Sequence, residues 1–299
     1  MNLIGAVSAA LGEIGIPTPS TLINNPSPDA IQVLAIATAA AMSLATEFDW
    51  QVLATQTTFN VQSQVLTGST TTGSNLLVMS TAPVGLDTTW QVIGTGIPQD
   101  VYVVSVVGNV VTMSQVATST NASISLTFGK TQYPLPSDYS RLIPRTQYDK
   151  SRRWAMVGPA TPQEWEWLKS SYISTGPRIR YRLWGGYLQT WPIIATSDLL
   201  SFEYISNAYA IDASTMLRKP GFTADSDMYI YGDRLFVCAI KARYMLQRGL
   251  DSNIAVGEYQ EQLSLAKAYD QSAATLSMAS RGGAVLIDLA NIPDSGFGG

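Results

Sequence analysis

Val101-Tyr-Val-Val-Ser-Val-Val107, Gly108-Asn109 and Val110-Val-Thr-Met-Ser114 read as two strands joined by a two-residue turn, with apolar residues on both faces. The hairpin sits inside a block rich in Thr, Ser, Gly and Val, residues 62–128. There Leu76–Ser80, Trp90–Ile93 and Ser123–Phe128 supply further short strands. Short strands separated by closely spaced turn signals predict a small all-β sandwich or barrel. The ends of the block lie near Val61 and Tyr133, so it is expected to interrupt a hairpin of a parent domain.

The flanking sequence has a different character. A helix is predicted over about Leu3 to Ile14, stopped by Gly15-Ile16-Pro17. A second starts at Ser27-Pro28-Asp29, with Ser27 as N-cap, Pro28 at N1 and Asp29 facing the positive end of the helix dipole. Ile31, Leu34, Ala41 and Ala45 recur at helical spacing down to Trp50, and the small alanines between them suit close helix packing. The apolar run Ile31–Thr46 falls short of the roughly 20 residues a bilayer span needs, and no secretory leader is expected.

Beyond the β block, Tyr133-Pro-Leu-Pro-Ser-Asp-Tyr139 is a Pro-restricted extended turn leading into Arg141–Ile143. Thr161-Pro-Gln-Glu164 has the form of a capping box at a helix start. Arg178–Leu183, Gly185-Gly186 and Tyr187–Trp191 form a predicted hairpin, and Leu200–Ile205 is expected to add a third strand to it as a meander. Two helices follow: one from Asp227 to Gly249, the other from about Ser252 to Met278 with Tyr259, Leu263, Ala266 and Tyr269 on its packed side. The expected class is α+β: a helical bundle with a small antiparallel sheet (1–61 and 129–279), an inserted all-β domain (62–128) and a C-terminal tail (280–299).

Composition removes much enzymology. The chain has 299 residues and no histidine, which excludes Ser-His-Asp and Cys-His nucleophile systems and His-ligated zinc. The single cysteine, Cys238, excludes an internal disulfide framework, and its apolar neighbours read as a buried thiol. Charged residues make up only 13% of the chain, about half of what soluble domains usually carry, so much of the surface is expected to meet partner chains. Residues 1–129 contain no Lys or Arg; all 18 basic side chains follow. A net charge of −4 argues against tight DNA binding.

Few side chains suggest chemistry. Glu164 and Glu166 are two apart on a helix and so diverge, while Asp225 and Asp227 read as caps at a helix start. Neither set has the spacing of a calcium loop, and no metal or cofactor site is expected. Glu13 and Glu47 are the conceivable acids of a peptidoglycan hydrolase. Trp154, Trp165, Trp167, Trp184 and Trp191 read as core. Arg178, Arg180 and Arg182 alternate along a strand and share one face, which calls for an acidic partner, water or phosphate. Arg152 and Arg153 are candidates for a neighbouring subunit's acids or for phosphates. The tail carries Val285, Leu286, Ile287, Leu289, Ile292 and Phe297, an apolar set that needs a covering surface.

Leu11-Gly-Glu-Ile-Gly-Ile-Pro17, Ser20-Thr-Leu22, a helix ending at Trp50 and then Phe59-Asn60 resemble the head-to-tail adaptors of short-tailed phages, also called tail tubular protein A or tail accessory proteins. Tyr133–Tyr139 and Arg141–Pro144 resemble the same family's later segment. The likeness covers roughly residues 1–61 and 130–280. It implies a structural ring, typically of twelve copies, in the virion between portal protein and tail nozzle, assembled in the host cytoplasm, through which double-stranded DNA passes without specific binding. It also implies a C-terminal extension that docks on the portal, the role assigned to residues 280–299, and subunit or nozzle contacts for the five arginines. Residues 62–128 depart from a minimal member and read as a decoration. Some relatives are linked to cell-wall hydrolysis, but no motif here carries that over. The rival readings are a receptor- or glycan-binding tail protein acting through residues 62–128, and a hydrolase.

Overall fold

A computed structural model describes residues 1–170 and 178–270. The chain opens with α1 (Leu3–Ile14), α2 (Pro28–Glu47) and β1 (Ala54–Asn60). The block that follows holds β2 (Ser63–Thr70), β3 (Leu76–Met79), β4 (Trp90–Ile93), β5 (Val103–Val107), β6 (Val110–Met113) and β7 (Asn121–Lys130). Next come β8 (Gln132–Pro134), β9 (Tyr139–Leu142), β10 (Tyr148–Asp149), β11 (Trp154–Ala155) and α3 (Pro162–Ser170). Then β12 (Arg180–Trp184), β13 (Tyr187–Trp191), β14 (Leu199–Ser206), α4 (Asp233–Arg248) and α5 (Asn253–Asp270) complete the described chain, with three two-residue strands between β14 and α4. The class is α+β.

The helices share one core. Gly15 closes α1 in the left-handed conformation, donating its N–H to Gly12 and leaving Ile16 to cap Leu11. Ala37, Ala40, Ala41, Leu44 and Ala45 of α2 are buried and give α4 a close approach. Two aromatic side chains spend their polar ends on α2 carbonyls: Trp50 Nε1 on Leu44 at 2.6 Å and Tyr231 Oη on Ala41 at 2.9 Å. The run Ile31–Thr46 reads as too short for a bilayer, but α2 as a whole, at 20 residues, is long and apolar enough to cross one by length and composition; 44% of its apolar stretch is buried in this core. It ends at Glu47 rather than Trp50, because Phe48 is extended and Trp50 turns inward. Ser27 sits at the N-cap, but its hydroxyl makes no capping bond.

Residues 62–128 build the predicted β unit. Its six strands run β4-β7-β2-β3-β6-β5, and the Gln91–Tyr102 bridge joins the outer strands into a nearly closed barrel. Leu77, Trp90, Val92, Val111, Leu126 and Phe128 fill the interior. Gly108 supplies the positive φ of the 107–110 turn. The barrel does not interrupt a hairpin: β1 pairs with β14, whereas β8 pairs with β13 in another sheet. Its entry and exit still adjoin, as Lys130 N–H donates to Gln62 O at 2.9 Å.

The expected three-strand meander is also corrected. β12 and β13 pair across Gly185-Gly186, both at positive φ, but β14 leaves them for a sheet ordered β1-β14-β10-β11, with β9 also on β14. β14 is buried along most of its length and its backbone groups are satisfied on both edges, by β1 on one and by β10 and β9 on the other, while β8 takes the free edge of β13. The helix expected from Asp227 begins six residues later. Asp227 is instead a buried anchor: it accepts N–H bonds from Thr223 (2.6 Å) and Ala224 (2.9 Å) and the Lys219 ammonium at 2.8 Å. Asp225 accepts from Leu22 and Ile23 across the chain, so neither acid caps that helix.

Candidate interaction surface

The charge asymmetry of the sequence is largely resolved within the fold. Glu13 meets Arg234 and, at 3.1 Å, Lys241; Asp49 meets Arg141. Asp29 meets Arg248 at 3.6 Å, Glu47 meets Lys267 at 3.2 Å and Asp100 meets Lys169 at 2.8 Å. Five of the six acids before residue 130 thus find bases after it, and the sixth, Asp87, accepts from Thr89 instead. Exposed pairs of this kind contribute roughly 0–1 kcal/mol each, so they align elements more than they hold them. Burial raises the Glu13 carboxyl pKa, but hydrogen bonds and charge from Arg234 and Lys241 outweigh it and hold the group below the ordinary carboxylate range. A general acid at neutral pH needs the opposite shift.

The five arginines separate into three environments. The even-numbered face of β12 is as predicted, with Ile179 and Tyr181 buried behind it, and Arg178 and Arg180 stand exposed. Arg182 does not reach outward. Its Nε donates to Gln189, directly opposite on β13, at 2.7 Å, and its guanidinium lies 4.8 Å from the Trp165 ring and 5.5 Å from that of Trp184. It is held between two indoles by cation–π attraction. Burial lowers its pKa, Glu166 and Asp100 oppose that, and a guanidinium stays charged regardless.

Arg152 is also spent inside the chain. Its Nε donates to the buried Asp198 at 2.9 Å and Nη2 to Thr196 at 3.2 Å, tying the 192–198 loop to the β10–β11 turn. Arg153 has a left-handed backbone, φ 59°, and forms no ion pair or side-chain hydrogen bond among the described residues. It lines a groove of about 510 Å³ with Arg145, Lys150, Tyr148, Ser201 and Glu203. Arg145 shares the unusual backbone, φ 65°. The tail residues Val285, Leu286, Ile287, Leu289, Ile292 and Phe297 lie outside the described residues.

The expectation that all five tryptophans are core holds for two of them. Trp165 and Trp191 are core, but Trp154, Trp167 and Trp184 are exposed, Trp184 at 57%. The signal for Trp184 was present: it continues the period-two face of the arginines, one step before the turn. On α5 only Ala255 and Leu263 are buried, and Tyr269, expected on the packed side, is 86% exposed. Ile254 (78%) and Leu265 are exposed with it; Glu258 and Glu261 separate Ile254 from the other two on that side, so only Leu265 and Tyr269, one turn apart, adjoin. Leu265 and Tyr269 also wall a groove of about 530 Å³ with Trp50, Val52, Tyr231 and Ala266.

Cys238 is buried and free, and burial pushes its thiol pKa up. Among the described residues no group of acids and cysteine converges as a metal site. Compared with known proteins, the chain matches no family model and no curated protein.

Proposed function

We propose that the chain is a non-enzymatic ring subunit, a head-to-tail adaptor between portal and tail nozzle of a short-tailed phage virion, through which DNA passes without being gripped. The observation that carries this reading is the exposed apolar pair Leu265 and Tyr269, one turn apart near the end of α5, beside a groove lined by Trp50 and Ala266. Large apolar side chains exposed beside an apolar groove call for a second surface to cover them. A neighbouring copy supplies that surface in a ring, and the resemblance of residues 1–61 and 130–280 to adaptors supplies the context. Arg180, exposed at the start of β12, and Arg178, exposed two residues before it, remain candidates for a neighbour's acids. Arg182 and Arg152 leave that role, because each already has partners in its own chain. In this reading residues 280–299 dock on the portal and close the neck.

Electron microscopy of the purified chain, alone and with portal protein, tests the proposal. Rings that form on the portal support it, and Leu265→Asp with Tyr269→Asp should disperse them. A protein that stays monomeric at high concentration and ignores the portal overturns it.

A further inference from the structure

The β1 side of the β1-β14-β10-β11 sheet ends in free backbone groups. On β14, Leu199 and Glu203 turn away from β1: Lys150 N–H donates to Leu199 O at 2.8 Å and Ile143 N–H to Glu203 O at 3.1 Å. Leu200, Phe202 and Tyr204 therefore bond β1 through Phe59, Thr57 and Thr55, and the N–H and C=O groups of Gln56, Thr58 and Asn60 point outward. Among the described residues no backbone group meets them. The strand itself, Ala54-Thr-Gln-Thr-Thr-Phe-Asn60, carries no charge, proline or bulge, the devices by which proteins usually blunt such an edge. Donors and acceptors in this alternation are what an extended peptide matches.

Positive charge flanks this edge. Gln56 and Thr58 stand in register with Glu203 and Ser201, so the four share one sheet face. The groove of about 510 Å³ on that face also holds Arg145, Lys150 and Arg153, all three exposed. Lys150 reaches from the end of β10 to within 3.5 Å of Gln56 Oε1. Glu203 is the one uncommitted carboxylate beside them, since Asp149 is occupied by the N–H groups of Ser151 and Arg152. The groove therefore keeps an excess of positive charge.

The two features together select one kind of occupant. A phosphodiester satisfies the cations but has no donor for the outward C=O groups. A second copy's β1 has donors and acceptors but no acid, and it would bring its own Lys150 to the junction, where like charges repel. An extended segment with carboxylates along one face satisfies both. We propose that the β1 edge and its groove dock an extended acidic segment of a partner protein, which adds as a further strand with acids opposite Gln56 and Thr58. Directly opposed side chains lie about 5 Å apart on a shared face, which puts an acid opposite Gln56 within reach of Lys150. Arg145 and Arg153 add attraction for the rest of the segment. The site does not depend on the ring reading, which rests on Leu265 and Tyr269 of α5.

Hydrogen exchange of the full-length protein, with an alternating valine–aspartate peptide the length of β1, tests the site. At saturating peptide the amides of Gln56, Thr58 and Asn60 should exchange at least about tenfold more slowly than in the free protein. An alternating valine–lysine peptide should bind at least about tenfold more weakly, and the aspartate peptide N-methylated throughout should leave the edge unprotected. Lys150→Glu with Arg153→Glu, both at exposed positions, should reverse the preference between the two charged peptides, while Leu200, Phe202 and Tyr204 stay protected as in the wild type. An edge that the aspartate peptide does not protect overturns the proposal. So does equal binding of the lysine peptide, which leaves no charge selection, or of the N-methylated one, which leaves no strand pairing. Edge protection that appears without peptide and rises with protein concentration assigns the edge to a second copy and overturns it too.

Discussion

Replacing Asp227 by alanine tests the anchor that fixes where α1 meets the chain before α4. The Asp227 side chain is 1% exposed and receives Lys219 at 2.8 Å, while its own backbone carbonyl takes the Leu3 N–H at 2.7 Å. Removal leaves the Thr223 and Ala224 N–H groups without their acceptor and Lys219 without its main partner. Breaking a buried pair costs about 3–5 kcal/mol. Lys219 keeps 17% exposure and a second carboxylate, Asp212, at 3.1 Å, which places the expected loss near the lower figure, about 3 kcal/mol. Urea unfolding followed by tryptophan fluorescence reads this directly. Lys219→Met should couple with Asp227→Ala, the double variant losing less than the two single losses added. Burial raises the Asp227 pKa, but Lys219 and the two N–H donors outweigh it, so the native value lies below that of the unfolded chain. Its contribution is therefore complete above the ordinary carboxylate pKa of about 3.9 and disappears as pH falls through the lowered native value. The gap between wild type and Asp227→Ala should be widest near neutral pH and narrow in acid. A loss under about 1 kcal/mol, or a gap that widens on acidification, would refute the anchor.

Three further outcomes are expected. Gly158→Ala should destabilise the sheet region by about 2 kcal/mol or more in thermal unfolding, because a Cβ there lies 2.4 Å from the Tyr181 carbonyl oxygen and φ is 154°. Arg182→Ala should lower stability by about 1 kcal/mol through loss of its stacking and the Gln189 bond, whereas Arg180→Ala should change it by less than about 0.5 kcal/mol. Cys238 should resist a thiol reagent at neutral pH in the folded protein and react fully in denaturant; rapid labelling of the native chain would contradict its burial.

Local rules carried the elements whose signals are self-contained. Gly15 ending α1, the capping box in which Thr161 N–H meets Glu164 at 2.8 Å and Glu164 N–H returns to Thr161 at 3.2 Å, and the Gly185-Gly186 turn all lie within a few residues. The barrel strands were legible for the same reason, since tight turns and alternation are short-range. The sequence also placed Cys238 in the core and the arginines of β12 on one face.

What it did not contain was the partner of each surface. Arg178, Arg180 and Arg182 look alike in sequence, but α3, arriving from an earlier part of the chain, puts Trp165 under Arg182 alone. Arg152 and Arg153 are adjacent, and only the return of the 192–198 loop decides that Asp198 captures the first. Asp227 reads as a cap because acids favour helix starts; a lysine eight residues upstream and two loop N–H groups make it an anchor instead. β14 was assigned to the wrong sheet because strand order depends on which edges are free after folding, a property of no single segment. Period and capping are written residue by residue, whereas pairing across tens of residues is settled by the competition of all faces for burial, and that competition takes place only in three dimensions.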